Sequence, residues 1–159
     1  DDVESRGLGD VYKRQTKEKP MNTLHYYLMA DHSLFHKALF ASIKSTGLTS
    51  GQPKVLDYLA DNDGAVQKDI AAGCCIEPAT LTNLLNGMEK EKLLERKTTD
   101  GNRRSYHIFL TPKGKTLCEI IRQEFMAIEY RALAGFTTEE KQLLNTYLDR
   151  IHTNMKEGL

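Results

Sequence analysis

Residues 67–90 read QKDIAAGCCIEPATLTNLLNGMEK and hold two helical patterns separated by a short turn. The first pattern, Gln67 to Cys74, spaces its apolar residues for one short helix. Pro78 suits the first position of the next helix, because its missing N–H needs no partner there. That helix has a small, polar outer face, and its apolar face comprises Leu81, Leu84, Leu85 and Met88. Two such helices around a tight turn predict a helix-turn-helix.

The chain after Lys90 predicts a β-hairpin. Residues 93–99 and 105–110 have the composition of strands, and residues 100–104, DGNRR, are typical of the turn between them. A helix-turn-helix followed directly by a hairpin is a winged helix-turn-helix. We therefore predict a mainly α fold with a small β-hairpin wing.

Two amphipathic helices are predicted before this unit. The first starts at Leu24, continues for about twenty residues and is stopped by Gly47. The Thr49 hydroxyl and the Gln52 side chain are predicted to form a reciprocal capping box for the second. The apolar residues of this second helix are Val55, Leu56 and Leu59.

Two more helices are predicted after the hairpin. Thr111 and Pro112 predict the N-cap and first position of one, whose apolar residues are Leu117, Ile120, Ile121, Phe125 and Ile128. Thr137 and Glu140 predict a second capping box at the start of the last helix. This last helix is expected to bury Leu143, Leu144, Tyr147, Leu148, Ile151 and Met155.

Charge and composition restrict the classes of function. The 159 residues carry no net charge, yet residues 90–115 hold eight basic and three acidic side chains. Such a local basic stripe suits phosphate contact, because Coulomb attraction is screened beyond about 8–10 Å at physiological salt. No run approaches eighteen apolar residues, so no membrane span is expected. No P-loop, G-x-S-x-G, H-E-x-x-H or C-x-x-C motif occurs, so an enzyme is not expected.

The cysteines and the first residues bear on the compartment and the domain limits. Three cysteines, of which Cys74 and Cys75 are adjacent, form no spaced disulfide framework, and no secretory signal is recognisable. A cytoplasmic location is therefore predicted. Residues 1–20 are charged without helical or strand periodicity, so we expect a disordered or extraneous leader.

Six short motifs occur in order along the chain: LTxxQxxVLxxL at 48–59, ATLTNLL at 79–85, MEK at 88–90, LER at 94–96, DGNRR at 100–104 and LTPKG at 110–114. This ordered set resembles the MarR family of bacterial transcriptional regulators. The resemblance implies a ligand-responsive regulator, a repressor by the family default, without catalytic activity or cofactor. It also implies three partners: double-stranded DNA, a second copy of the chain, and a small aromatic or anionic effector.

The resemblance also assigns roles to parts of the chain. Residues 21–159 would form a single domain whose DNA-binding part is about 48–115, with dimerisation helices at about 22–46 and 112–157. A two-fold symmetric dimer predicts a palindromic operator with half-sites about 34–36 Å apart.

The outer face of the second helix of the helix-turn-helix holds the first candidate DNA contacts. Thr82, Asn83 and Asn86 suit the major groove, because an asparagine amide pairs with adenine and a threonine methyl contacts thymine. Ala79 and Lys90 share this face. The alternative interpretation is a helix face that is merely solvated.

The hairpin holds the second set of candidates. The resemblance places one of Arg103 and Arg104 in the minor groove and pairs the other with Asp100, without indicating which arginine does which. The alternative is a solvated turn with an exposed ion pair, which contributes about 0–1 kcal/mol. Phosphate contacts are predicted at Lys90, Lys97 and Lys113.

Three positions depart from the family pattern, and the wing is about one residue short. Cys75 in the turn of the helix-turn-helix and Lys92 before the first wing strand stand where the family usually has glycine, and Asn83 stands where a basic residue is common. A positive φ at Cys75 would introduce backbone strain.

Three histidines, His25, His32 and His36, share one side of the first helix. They are candidates for the effector pocket, and the alternative is a half-buried edge of a dimer helix. His32 and His36 have metal-compatible spacing, but no further ligand completes a site, so no metal is predicted.

Two other functions remain open at this point. A winged helix that binds a protein partner in place of DNA would agree with the neutral net charge and with Asn83. A redox-sensing regulator would use Cys75 in the turn, whereas Cys74 takes a core position, where cysteine usually behaves as a small apolar residue.

Overall fold

The computed structural model describes residues 23–98 and 106–158, and the chain divides into two units between Ala38 and Leu39. Helix α1, Leu24–Ser42, crosses this boundary, and its residues up to Ala38 belong to the first unit. The leader predicted at residues 1–20 lies outside the described residues.

All other described elements belong to the second unit. A single 3-10 turn, Lys44–Thr46, is followed by Gly47 in the left-handed conformation, at the predicted stop. The remaining elements are α2 (Gln52–Asp61), α3 (Gln67–Cys74), α4 (Pro78–Lys90), β1 (Leu94–Thr98), β2 (Tyr106–Leu110), α5 (Pro112–Ala132) and α6 (Thr138–Glu157). This order confirms the predicted mainly α, winged helix-turn-helix fold.

The two strands form an antiparallel hairpin in which Leu94 lies opposite Leu110 and Thr98 lies opposite Tyr106. An additional bridge pairs Val66, just before α3, with His107 of β2. The sequence did not predict this bridge. It attaches the start of the helix-turn-helix directly to the wing.

The core lies where α2 packs against α3 and α5, with α3 against α4 and α4 against β1. Its fully buried side chains come from every one of these elements and include Val55, Leu56, Leu59, Ile70, Leu81, Leu85, Met88, Leu94, Ile108 and Ile121. Burying each of them contributes about 1.5–3 kcal/mol relative to exposure, which makes this cluster the main source of stability.

Three of the predicted helix starts can be compared with the structure. The Thr111 hydroxyl accepts the Gly114 N–H at 3.1 Å, and Thr137 and Glu140 form the full reciprocal capping box, so both predictions are confirmed. The box predicted for Thr49 and Gln52 is half wrong. Gln52 Oε1 accepts the Thr49 N–H at 2.9 Å, but α2 begins at Gln52 with Gly51 as its N-cap, which moves the Thr49 hydroxyl out of capping position.

Helix α5 buries Ile121 and Ile128, two of the five apolar residues predicted for it. Ile120 is 37% exposed, whereas Cys118 is buried and its thiol donates to the Leu56 carbonyl at 3.2 Å. At the start of α5, a Cβ on Gly114 would lie 2.0 Å from the carbonyl oxygen of Leu93. Only glycine allows α5 to approach the end of α4 and the beginning of β1 so closely.

The burial predicted for α6 is wrong for the single chain. No residue of this helix is buried, and Leu143 and Met155 are 51% and 58% exposed. The helix is well capped and amphipathic, but among the described residues its apolar face stays largely exposed. None of the described helices is long and apolar enough to cross a membrane.

Candidate nucleic-acid interface

Helix α4 has one buried and one exposed face. Leu81, Leu85 and Met88 lie in the core with no exposed surface. An α-helix has 3.6 residues per turn, so residues three or four positions apart share a face. Burial of this face turns the opposite side of α4 towards the solvent. The exposed side comprises the five residues predicted for it, Ala79, Thr82, Asn83, Asn86 and Lys90.

The hydroxyl of Thr82 is already engaged within the chain. It donates to the Pro78 carbonyl at 2.9 Å and accepts from Gln67 Nε2 at 2.6 Å. The methyl group is therefore the part of Thr82 that remains available for an outside contact. Sequence reasoning missed Gln67, which lies fifteen residues earlier at the start of α3.

Asn86 is joined to the wing by Arg96 of β1. Arg96 Nη2 donates to Asn86 Oδ1 at 2.8 Å, and Arg96 Nη1 pairs with the Glu89 carboxylate. The Arg96 side chain is only 18% exposed. The sequence placed Arg96 in a basic stretch and in the LER motif at 94–96, but neither signal revealed its connection with α4.

Asn83 lies between these two residues on the same exposed face. Among residues 23–98 and 106–158, its side-chain amide has no hydrogen-bond partner. Asn83 therefore keeps both its donor and its acceptor for a ligand, unlike Thr82 and Asn86.

The three predicted phosphate-contact lysines have different surroundings. Lys97 Nζ lies 2.6 Å from Glu95 Oε1 and 5.2 Å from the centre of the Phe109 ring. Lys113 Nζ donates to the carbonyl of Glu91 at the end of α4, at 2.9 Å. Lys90 is exposed on α4 without such a contact in the described part of the chain. It is the least restrained of the three.

The predicted wing-tip residues Asp100, Arg103 and Arg104 lie outside the described residues. The described strands bring the hairpin out of the core beside α4, with Ile108 as its buried anchor.

The chain is similar to several known transcriptional regulators. The MarR family model matches residues 46–105, which comprise α2, α3, α4 and β1. The uncharacterized HTH-type transcriptional regulator YybA of Bacillus subtilis (strain 168) is 27% identical over 71% of this chain and 75% of its own length. The homoprotocatechuate degradative operon repressor of Escherichia coli is 28% identical over 67% of this chain and 72% of its own length. The S. aureus MepR–DNA complex superposes with a TM-score of 0.73 and 26% identity, over 82% of this chain and 96% of that chain.

This chain is similar to known transcriptional regulators, and its residues 46–105 match the MarR family model. The matched segment includes α4, the second helix of the helix-turn-helix, whose exposed face holds the candidate base contacts. Two of the residues that depart from the family pattern, Cys75 and Lys92, have φ angles of 50° and 61°. Both therefore adopt the left-handed conformation for which the family usually uses glycine, and each carries backbone strain of about 1–2 kcal/mol.

The three cysteines differ in exposure. Cys74 is buried, as predicted, and burial raises the pKa of its thiol. Burial also raises the pKa of Cys118 to about 11. A thiol with a raised pKa stays protonated at neutral pH and is a poor nucleophile. Cys75 is the exposed cysteine and lies in the turn before α4.

The three histidines lie on α1 within the first unit, and all three are exposed in the single chain. The ring centres of His32 and His36 are 6.2 Å apart, and the Thr23 hydroxyl lies 2.9 Å from His25 Nδ1. No cluster of three or more potential metal ligands occurs within the described ranges. The role of the histidines in an effector pocket stays a prediction.

Proposed function

We propose that this chain is a MarR-family regulator that binds operator DNA by inserting the exposed face of α4 into the major groove. The observation that carries this proposal is the polar face of α4, set opposite a fully buried one and beside the basic strand β1. Base edges in the major groove are read by helices that present such side chains. The similarity to MepR, whose structure was solved as a DNA complex, supports DNA as the partner.

The hairpin supplies the second contact in this proposal. One of Arg103 and Arg104 enters the adjacent minor groove, where A·T tracts concentrate negative potential, and the other pairs with Asp100. Lys90, Lys97 and Lys113 contact phosphates, which position the protein without reading sequence. The basic stripe of residues 90–115 supports this assignment.

The proposed binding unit is a homodimer. The uncovered apolar residues of α6 offer a surface for a second copy of the chain, since exposed apolar patches mark interaction sites. Two-fold symmetry then requires a palindromic operator with half-sites about 34–36 Å apart.

We further propose that the protein is a cytoplasmic repressor controlled by a small aromatic or anionic effector near His25, His32 and His36. The repressor function named for the E. coli relative supports the direction of regulation. Binding of an effector would make the dimer release DNA by favouring a different separation of the α4 helices of its two copies. Its influence cannot exceed the difference between its affinities for the two states.

Titration of the full chain against random genomic duplex at two salt concentrations, followed by fluorescence anisotropy, tests the DNA-binding proposal. We expect binding that weakens steeply with salt, because phosphate contacts release counterions. The Arg103→Ala/Arg104→Ala variant is expected to bind more weakly. Arg131→Ala/Lys141→Ala removes the same charge from exposed positions on α5 and α6 and should bind like the unchanged chain.

Absence of binding at low salt would overturn the proposal and favour a winged helix that recognises a protein partner, for which the neutral net charge is an argument. The exposed thiol of Cys75 favours redox control as a second candidate function. Peroxide treatment of the DNA complex tests it, because Cys75→Ser should then keep DNA bound when the unchanged chain releases it.

A further inference from the structure

We propose that Arg96 is a positioning residue that determines which base Asn86 recognises, and that Asn86 reads guanine in preference to adenine. This inference rests on the proposed insertion of α4 into the major groove. It adds a specificity determinant that lies on the wing, outside the recognition face itself.

The hydrogen bond between Arg96 and Asn86 gives the asparagine amide one orientation. A guanidinium group only donates hydrogen bonds, so the group of Asn86 that faces it must be the acceptor Oδ1. The opposite orientation would bring the Nδ2 amino group against the guanidinium, where two donors meet. Asn86 therefore directs its amino group away from Arg96.

Arg96 is itself held from a second side. Its other terminal nitrogen pairs with Glu89, which lies three residues after Asn86 on the same side of α4. The planar guanidinium thus bonds an amide oxygen and a carboxylate at once, and the strand β1 supplies its backbone position. This double attachment keeps the guanidinium against Asn86 in the unbound protein.

The orientation of Asn86 has a consequence for base reading. Recognition of adenine by an asparagine uses both amide groups, since Nδ2 donates to N7 and Oδ1 accepts from N6. With Oδ1 engaged by Arg96, Asn86 presents mainly its two N–H donors. Guanine offers two acceptors, N7 and O6, at its major-groove edge and is the base that such a donor pair fits.

The neighbouring residues of α4 present different groups. Gln67 and the Pro78 carbonyl occupy the hydroxyl of Thr82, which leaves its methyl group for a thymine methyl. Asn83 keeps both amide groups and can pair with adenine. On one face of α4, Thr82 thus offers a methyl group, Asn83 a complete amide and Asn86 an amino group.

Selection of preferred sites from a pool of random duplexes by the full chain provides the test. Arg96→Met keeps most of the side-chain volume and removes the donors. We expect one base pair in each half-site to change from guanine towards adenine in this variant, with the guanine-to-adenine affinity ratio falling about fivefold or more. The remaining base pairs and the salt dependence should not change.

Two matched variants separate positioning from a general structural effect. Glu89→Gln keeps the bond between Arg96 and Asn86 and should retain the guanine preference. In an Asn86→Ala background, Arg96→Met should cause no further change at that base pair, because Arg96 acts through Asn86. Each ratio compares two duplexes on one protein preparation, so partial unfolding of a variant cancels.

Two results would overturn the inference while leaving DNA binding intact. One is an identical base preference in Arg96→Met and the unchanged chain. The other is an equal loss of affinity for all duplexes together with a salt slope reduced by about one, which indicates that Arg96 contacts a phosphate. Failure of the unchanged chain to bind any duplex at low salt would instead overturn the proposed function, and the inference with it.

Discussion

Helices α4 and α6 are both amphipathic, yet their apolar faces have opposite surroundings. In α4, Leu81, Leu85 and Met88 are completely buried by neighbouring elements. In α6, which is longer and has a full capping box, no residue is buried in the single chain. An apolar stripe therefore predicts that a helix face is buried in some contact, but it does not predict whether that contact lies within the same chain.

This difference separates two contributions to stability. The face of α4 is covered within the chain, so its contribution should be independent of protein concentration. The face of α6 contributes fully only if a second copy covers it, and that contribution should grow with concentration.

Leu85→Ala should lower the free energy of unfolding by about 2–5 kcal/mol at every protein concentration, because it leaves a cavity in a covered core. Chemical denaturation at several concentrations measures the loss. Thr80→Ala, at an exposed position of the same helix, is the control and should change stability little. A loss that varies with concentration would contradict the assignment of α4 to the chain's own core.

Leu148→Glu should weaken self-association about 30-fold or more, since it introduces a charge at the centre of the uncovered face of α6. Sedimentation equilibrium measures the dissociation constant. Thr146→Glu adds the same charge on the opposite side of the helix and should leave association unchanged. If the unchanged chain is a monomer at all concentrations, a second copy does not cover α6.

Cys75→Gly should raise the free energy of unfolding by about 0.5–1 kcal/mol. Relief of the left-handed strain at φ 50° exceeds the added flexibility of the unfolded chain. Thermal unfolding beside Cys75→Ser separates this effect from loss of the thiol, because serine keeps the strain. Equal stability of the glycine and serine variants would show that the turn before α4 is not strained.

Asp61→Asn should reduce the acid sensitivity of stability. The Arg122 guanidinium, which donates to Asp61 Oδ2 at 2.5 Å, lowers the pKa of this carboxyl below its ordinary value of 3.8. A lowered pKa in the folded state gives a contribution that is present above pH 3.8 and disappears as the pH falls through the lowered pKa. Because Asp61 is fully exposed, the effect should be the smallest of the four.

Urea denaturation at neutral pH and near pH 3 measures this change, with Asp149→Asn on α6 as the exposed control. An equal acid-induced loss in the unchanged chain and Asp61→Asn would show that the ion pair between α2 and α5 does not contribute.

Much of the fold was predictable because its signals are local. Apolar spacing located the limits of α3 to the residue, and Pro78, Thr111 and Thr137 marked the starts of three later helices. The same periodicity gave the exposed face of α4, with Asn83 and Asn86 among its residues. Each of these signals acts over a few residues, so neighbouring side chains are enough to read it.

The contacts that refine the candidate interface were not predictable. Gln67 reaches Thr82 from fifteen residues away, and Arg96 reaches Asn86 from ten residues away on a different element. Burial of Cys118 in place of Ile120 also depends on how α5 packs against α2. These contacts and burials depend on the relative placement of helices and strands, which the periodicity of the sequence does not specify.

The sequence by itself determined the helices, the hairpin, the polar face of α4 and the turn position, Cys75, where a left-handed backbone would be strained. Only the tertiary structure decided that the hydroxyl of Thr82 and the oxygen of Asn86 are engaged, and that the apolar face of α6 is left open. The physical reason is that hydrogen-bond periodicity and capping act within a few residues of one chain segment. A side chain's hydrogen-bond partners and its burial are set by segments that meet only after folding.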